Sequence, residues 1–560
     1  MDKCTFEELR DKVRTRTPDE RKMLTGYQGH IKAFAESLKD AVNLAHKNGS
    51  NIKGFFDFDC DGIMSALGMT RMIPDIDVYI GDRYKDGYGI PDSGLTGLKE
   101  GDLVICGDMG STEEQKIVKI KEITGNWPII IDHHEVSEKM EKYPYMLNFN
   151  KKSYGIPMED RPDWCTAGLV YQLAKDYGLS NDDMKVCNIY SALATIADVV
   201  KVNNPYDTNR EDVKEGYKVL ETENIAKLDP NLFYFLYNCG LFGGEHILTK
   251  TIQFNVNPVI NAPGRIGTIS QMDISGGQFM YETLNPYSSL DREESLERIM
   301  ESIAINSKRK DMEKEASQSQ PYLRFLKTAL ADNVLVCYLP DLDKGICGRI
   351  AQNLSSEYKR PAICFCGRDG DISGSARNYP GYPNMMEATQ KIIDDNPVLK
   401  GASIGGHPDA FGFKGMTAEG IRELRTSIDR FYMDVVPQRT YEKAIDLQMV
   451  SIDNLVSLEP FGPDYPQPKA DETFRIGSIR LMKNDYCKVY AENDKKTAYF
   501  GQVKGTVLNK GDYMHVRGDI QVNYYQDTAS LQVSLDDYEI SREPFKKEAD
   551  DKSRDDDFGR

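Results

Sequence analysis

The sequence predicts an α/β protein with a doubly wound parallel-sheet domain, a long linker helix, a smaller α/β domain and a C-terminal small barrel or sandwich. Three observations predict it. Short apolar runs alternate with helix-length segments across the first half, as βαβ units require. A charge-rich helical stretch at 288–330 separates that half from a second strand–helix pattern. From about 471 the chain breaks into short alternating strands with turn signals.

Residues 29–46 carry a helical stripe, Ile31, Phe34, Ala35, Leu38, Ala41, Val42 and Ala45, inside an N-terminal helical segment, 1–50. A strand at about 52–57 leads into FFDFDCDGIMSA. DVYI (77–80), LVICGD (103–108) and PIIIDHH (128–134) are further buried-strand runs. CTAGLVYQLAKDYG (165–178) and MKVCNIYSALATIADVV (184–200) read as helices. Together they make a first domain over 51–285. The segment 286–330, charge-rich and helical in character, reads as a solvated linker helix between domains. VLVCYLP (334–340), a helix near 348–358 and PAICFC (361–366) open a second α/β domain, 331–435. FRIGSIRL, YCKVYAE, TAYFGQVKG, YMHVRGDIQV and SLQVSL supply the strands of 436–542. The tail 543–560 has few apolar residues and is expected to be disordered.

With 560 residues the chain has room for about three domains. No apolar run reaches the ~18 residues of a membrane span, and the polar start MDKCTFEELR lacks the apolar core of a signal peptide. The 11 cysteines form no CxxC pair, which argues against structural zinc or a disulfide framework and for a reducing cytoplasm. A net charge of −18 leaves nucleic acid binding to a local basic groove. No GxxxxGK[ST] loop is present.

The chemistry gathers at the ends of the apolar runs. Asp57, Asp59 and Asp61 are spaced by two, so an extended segment projects all three carboxylates to one side. Such like charges repel, and a divalent cation removes the repulsion. Asp108 ends LVICGD. Asp132, His133 and His134 end PIIIDHH, in a chain with only seven histidines. Asp198 lies within the apolar helix TIADVV. Singly, Asp108 or Asp198 reads as a cap or a paired structural acid. Together the set looks like a two-metal centre, whose ions sit about 3.5–4 Å apart and clamp a phosphate. Carboxylate-rich ligation suits Mn²⁺ or Mg²⁺ over zinc. A lone calcium loop is disfavoured because the rest of an EF-hand pattern is missing.

The ordered set DxDxDG, GD, DHH and AD resembles the DHH phosphoesterase superfamily and, within it, the RecJ family of single-strand exonucleases. GDRYKDGYGI, PVINAPGRIG (258–267), GICGRIAQNL, ISGSARN (372–378), GGHPDAFGF (405–413) and PFGPDYPQP (460–468) are similar to further family strings in the same order, over about residues 50–470. The resemblance implies a DHH domain, a DHH-associated domain and an OB-like barrel. It implies that Asp57, Asp59, Asp61, Asp108, His133 and Asp198 hold two divalent cations, Mn²⁺ preferred and Mg²⁺ accepted, with Asp108 bridging. Asp132 would orient a ligand, and His134 would contact the scissile phosphate or protonate the leaving oxygen. Ser375, Arg377 and His407 would grip a terminal phosphate, with Gly405 and Gly406 allowing close backbone approach. Arg83 and Arg265 are phosphate-contact candidates, and a structural salt bridge stays open for either. Tyr513, Tyr524 and Tyr525 could stack bases or simply pack. The implied activity is 5′→3′ hydrolysis of single-stranded DNA to 5′-mononucleotides. A phosphodiesterase of short oligonucleotides or cyclic dinucleotides and a non-catalytic replication scaffold are the alternatives. Implied partners are single-stranded DNA, with a single-strand-binding protein or a helicase, and no membrane. Two departures stand out. Phe411 replaces a preferred alanine and is expected to narrow the pocket for the terminal base. Asp464-Tyr465 replaces Gly-Asn.

Overall fold

The computed structural model describes residues 3–266, 274–437, 444–482, 486–494, 496–502, 507–525 and 528–545, with His407 described by its backbone alone. The tail expected to be disordered thus lies largely outside the described residues. No described helix is long and apolar enough to cross a membrane.

The first sheet consists of β1 (Ile52–Phe56), β2 (Asp77–Ile80), β3 (Leu103–Gly107), β4 (Ile129–Ile131) and β5 (Met146–Leu147), all parallel and ordered β2-β1-β3-β4-β5. Both faces are covered at the inner strands, so β3 and β4 are buried and apolar throughout, while the edge strand β2 alternates and exposes Asp77 and Tyr79. Phe55 enters the core with Val104 and Ile130 on one face, while Phe56 joins Ile105 and Ile131 on the other. At 2% and 0% exposure, each phenylalanine contributes roughly 1.5–3 kcal/mol by burial. The helices Cys60–Met72, Thr166–Tyr177 and Asn181–Ala197 pack together over the second face. In this strand order the winding reverses between β1 and β3. Open α/β sheets bind ligands at that crevice, beyond the carboxyl ends of the strands.

The linker departs from the expectation. It is two helices, Arg292–Gln318 and Gln320–Ala329, meeting at Ser319. The longer one is not solvated all round, because it buries Ser295, Ile299, Ser302, Ile305, Asn306 and Arg309. Polar residues make up most of that buried face, so no apolar stripe announced it.

The second sheet holds β6 (Leu335–Leu339), β7 (Ala362–Cys366), β8 (Ile372–Arg377), β9 (Ser403–His407) and β10 (Ala410–Met416), ordered β6-β7-β8-β10-β9. Only β6 and β7 are parallel; the others pair antiparallel. The helix Lys344–Tyr358 packs on β6, β7 and β8. The C-terminal strands β11 (Lys469–Leu481), β12 (Tyr486–Ala491), β13 (Ala498–Gln502), β14 (Tyr513–Tyr525) and β15 (Thr528–Ser541) close a barrel in the order β11-β12-β13-β15-β14, with β13 and β15 parallel. This is a five-stranded OB-like barrel.

Candidate metal centre and phosphate-binding cleft

The acidic cluster does not lie along one strand. β1 stops at Phe56 and a helix begins at Cys60. Asp59 is its N-cap, accepting from the amides of Asp61 (3.1 Å) and Gly62 (3.3 Å). Asp61 therefore sits in the first helical turn, and its placement comes from the helix instead of from strand alternation. Its carboxylate, 2% exposed, accepts from the amides of Thr166 and Ala167, both at 2.8 Å, at the start of another helix. Gly62 leaves no choice of residue, since a Cβ there would lie 2.3 Å from the Asp57 carbonyl oxygen.

Asp108 follows β3 in the left-handed region, at φ +62, and accepts from the Thr166 hydroxyl at 3.1 Å. Asp198 is not inside its helix but is the cap that ends it. These residues converge at the switch point in three overlapping groups whose ligand atoms lie within 4.8 Å of one another: Asp57, Asp59 and Asp108; Asp61, His133 and Asp198; Asp108, His133 and His134. Asp108 and His133 each belong to two groups.

His133 tests whether the pocket suits cations. Its Nε2 is buried with no hydrogen-bond partner, 3.4 Å from Asp198, 3.5 Å from Asp108 and 3.7 Å from Asp61. A buried nitrogen ringed by carboxylate oxygens, and bonded to none of them, is what two ligands of one ion look like. The charges agree. Burial, with Asp59 beside it, pushes Asp57 up to about 8. Burial raises Asp198 to about 7 although His133 pulls the other way. Asp59 and Asp108 are raised too, by burial and then by Asp61. So many desolvated carboxylates ask for protons or for cations. The donor set fits Mn²⁺ or Mg²⁺.

Asp132 is engaged differently. Its Oδ1 accepts from the amides of His133 (2.8 Å) and His134 (3.2 Å) and from His134 Nδ1 (2.8 Å), and its Oδ2 from the Ser111 amide (3.2 Å). Burial would raise it, but the histidines hold it well below the usual carboxylate range. Burial likewise lowers His134, yet Asp132 outweighs it and lifts the imidazole to about 10. Asn148 and Asn150 bind the carbonyls of His134 and His133. Sequence reasoning passed over Thr166, Ser111, Asn148 and Asn150, whose common amide and hydroxyl groups carry no signal until their partners are known.

The second wall comes from the associated domain. Arg377 on β8 donates to the Ser375 hydroxyl (2.9 Å) and to the Ala376 carbonyl (2.7 Å). Gly348 of the Lys344–Tyr358 helix abuts both side chains; a Cβ there would lie 2.9 Å from Arg377 Nη2 and 3.0 Å from Ser375 Oγ. Gly405 faces open space. Gly406, at φ +140, is required by its own hairpin, where a Cβ would meet the Ala410 carbonyl at 2.7 Å. His407 ends β9, and its side chain lies outside the described residues.

Arg83 lies over the rings of Phe58 and Tyr88. Among the described residues neither Arg83 nor Arg265 forms an ion pair. Burial, with Arg83 nearby, lowers Arg265 to about 10. Arg349, which the motif reading did not single out, repels both Arg265 and Arg377. Arg83, Arg265, Arg349 and Arg377 thus gather positive charge locally in a chain whose net charge is negative. The Tyr84 hydroxyl joins the two walls, bonding to Asp343 (2.5 Å) and to the Arg265 carbonyl (2.8 Å).

Neither departure narrows the pocket. Phe411 is 2% exposed and packs against Phe413 in the associated domain's core. Tyr465 lies over Arg210, with its ring 5.9 Å from Phe461. In the barrel, the Tyr524 ring fills the space beside Gly244, so it packs against the first domain; Tyr525 is exposed and Tyr513 half-buried.

The chain matches three family models: "DHH family, N-terminal domain" over residues 52–198, "DHHA1 domain" over 331–434 and "RecJ OB domain" over 443–537. It is 24% identical over 542 residues to the single-stranded-DNA-specific exonuclease RecJ of Bacillus subtilis (strain 168), covering 91% of this chain and 63% of that protein. The chain thus spans somewhat under two thirds of that relative. It is 23% identical over 492 residues to RecJ of Escherichia coli (strain K12), covering 82% and 81%. The crystal structure of RecJ in complex with Mn²⁺ from Thermus thermophilus shares the fold, with a TM-score of 0.68 at 18% identity, over 92% of this chain and 72% of that one.

Proposed function

This chain belongs to the DHH superfamily with the domain order of RecJ, and we propose that it is a metal-dependent exonuclease. It acts 5′→3′ on single-stranded DNA and releases 5′-mononucleotides, using two divalent cations with Mn²⁺ preferred. One observation carries the reading: a ring of carboxylates and imidazoles at a sheet switch point lies beside a cluster of arginines drawn from two domains, near enough for Arg83 to act on Asp57 and Arg265 on Asp59.

Asp57, Asp59, Asp61, Asp108, His133 and Asp198 would hold the cations, which supply charge neutralisation and Lewis acidity at the scissile phosphate. The remaining steps fall to the chain's own groups. Asp132 holds His134 Nδ1–H and keeps the ring protonated. Nε2–H is then free to donate to the departing 3′-oxygen. Ser375 and Arg377 hold the phosphate at the strand's end, because a guanidinium fork matches phosphate oxygens. Arg83 and Arg265 screen the strand from the acidic ring. The bond from Tyr84 to Asp343 keeps the walls together, so a single strand enters where a duplex is too wide. The barrel extends the track beyond the cleft.

The test is degradation of end-labelled single strands, duplexes and dinucleotides, with Mn²⁺ or with chelator. Mn²⁺-dependent release of mononucleotides from the 5′ end of single strands is expected. Cleavage of dinucleotides alone would replace this reading with a short-oligonucleotide phosphodiesterase. Binding without cleavage would make the protein a scaffold.

A further inference from the structure

Val199 directly follows Asp198. It is 58% exposed and sits at φ +58, a conformation that a β-branched residue adopts only under constraint. The constraint is visible on both sides. Upstream, the Asp198 amide is fastened to the Ala194 carbonyl at 2.8 Å. Downstream, the Lys201 amide donates to Asp163 at 2.8 Å, and Asn209 Nδ2 holds the Lys201 carbonyl at 2.8 Å. The amides of Val202 and Asn203 donate to the two oxygens of Asp464, at 2.8 and 2.9 Å.

Asp464 belongs to the segment that leads into the barrel, so these bonds tie a distant stretch of chain to the corner carrying Asp198. The fit is close: Gly462 presses on Val202, where a Cβ would lie 2.7 Å from Cγ2. Asp464 is also one of the two residues that depart from the family string. A glycine at 464 would have no carboxylate to offer these amides.

We propose that Asp464 and the constrained Val199 are positioning residues that hold Asp198 toward His133 in the metal centre. Asp464 anchors the 201–203 backbone, and the anchored backbone keeps Val199 left-handed. Asp198, one residue away, is thereby held with Oδ2 3.4 Å from His133 Nε2. Without the anchor, Val199 returns to negative φ and the corner turns. Glycine at 199 accepts either sign of φ and gives the corner no reason to turn. The inference rests on the metal-binding role of Asp198.

Mn²⁺ binding to the full-length protein, measured by calorimetry without DNA, tests it. Asp464→Ala is expected to lose roughly 10–100-fold in Mn²⁺ affinity, the usual effect of removing a residue that orients a ligand. Adding Val199→Gly should restore most of that loss. Asp464→Asn keeps one acceptor, should show a smaller loss, and carries the same comparison should the alanine variant not fold. Parent-like affinity in Asp464→Ala overturns the proposal, and so does a loss that Val199→Gly leaves untouched, since a purely structural role has no reason to be rescued there. If the parent itself takes up no Mn²⁺, the metal assignment fails before any variant is compared.

Discussion

Removing the cations should make this fold sensitive to pH across the neutral range. Asp57 and Asp198 rise from an ordinary 3.8 to about 8 and about 7 in the folded protein. Above pH 4 the unfolded chain has lost those protons and the metal-free fold has kept them. Its stability must fall as pH rises from about 4 through about 8. Each such proton is worth about 1.4 kcal/mol per pH unit where only one state holds it. Allowing for coupling between the carboxylates and for partial solvent access, the loss between pH 6 and 8 is about 1–3 kcal/mol. At roughly 2–4 °C per kcal/mol, Tm should drop by several degrees. His134, raised to about 10, acts in the same direction: its contribution is complete below 6.5 and fades as pH climbs toward 10. Asp132 is depressed, so its contribution is lost only on acidification, outside this window. Mn²⁺ displaces the retained protons, and at about 100 times its Kd it adds about 2.7 kcal/mol. At one fixed Mn²⁺ concentration the gain should be larger at pH 8 than at pH 6, because fewer protons compete for the site. Thermal melts at pH 6, 7 and 8 with chelator or Mn²⁺ measure both effects. A chelated Tm that is flat or rises with pH, or a Mn²⁺ gain that ignores pH, would refute the reasoning.

Asp108→Asn keeps a residue that tolerates φ +62 while removing a charge shared by two of the ligand groups; turnover should fall by more than the roughly 100-fold that outer partners cost, with DNA affinity largely kept, as filter binding would show. Arg377→Ala should raise KM for 5′-phosphorylated strands by about 10–100-fold, the loss of a charged hydrogen bond, with kcat little changed; a pure kcat effect would contradict its place at the strand end. His134→Gln should lower kcat by about 10²–10⁴-fold. Asp132 raises His134, so in a kcat profile activity that needs the imidazolium should persist further into alkaline pH in the parent than in Asp132→Asn.

Much of the candidate site is legible in the sequence because its chemistry is local to strand ends. An apolar run that stops on Asp108 or on Asp132-His133-His134 announces both a buried strand and what lies at its mouth, and the parallel sheet and barrel follow from the same periodicities. Other features carry no such mark. The three acids read as one side of an extended segment, but the helix that follows already begins at Cys60, capped by Asp59, and takes Asp61 into its first turn. The linker's buried face is mostly polar, so hydropathy does not see it. Phe411 reads as a pocket residue and proves to be core, since burial is decided by partners on β8 and β9.

The sequence by itself determined which groups are available and at which strand ends, because side-chain type and period are properties of neighbouring residues. Only the tertiary structure decided that His133 Nε2 would be left unbonded among three carboxylates, that arginines from two domains would come close together in an acidic chain, and that Asp464 would reach the corner after Asp198. Those facts are distances between residues far apart in the chain, set by how whole layers pack.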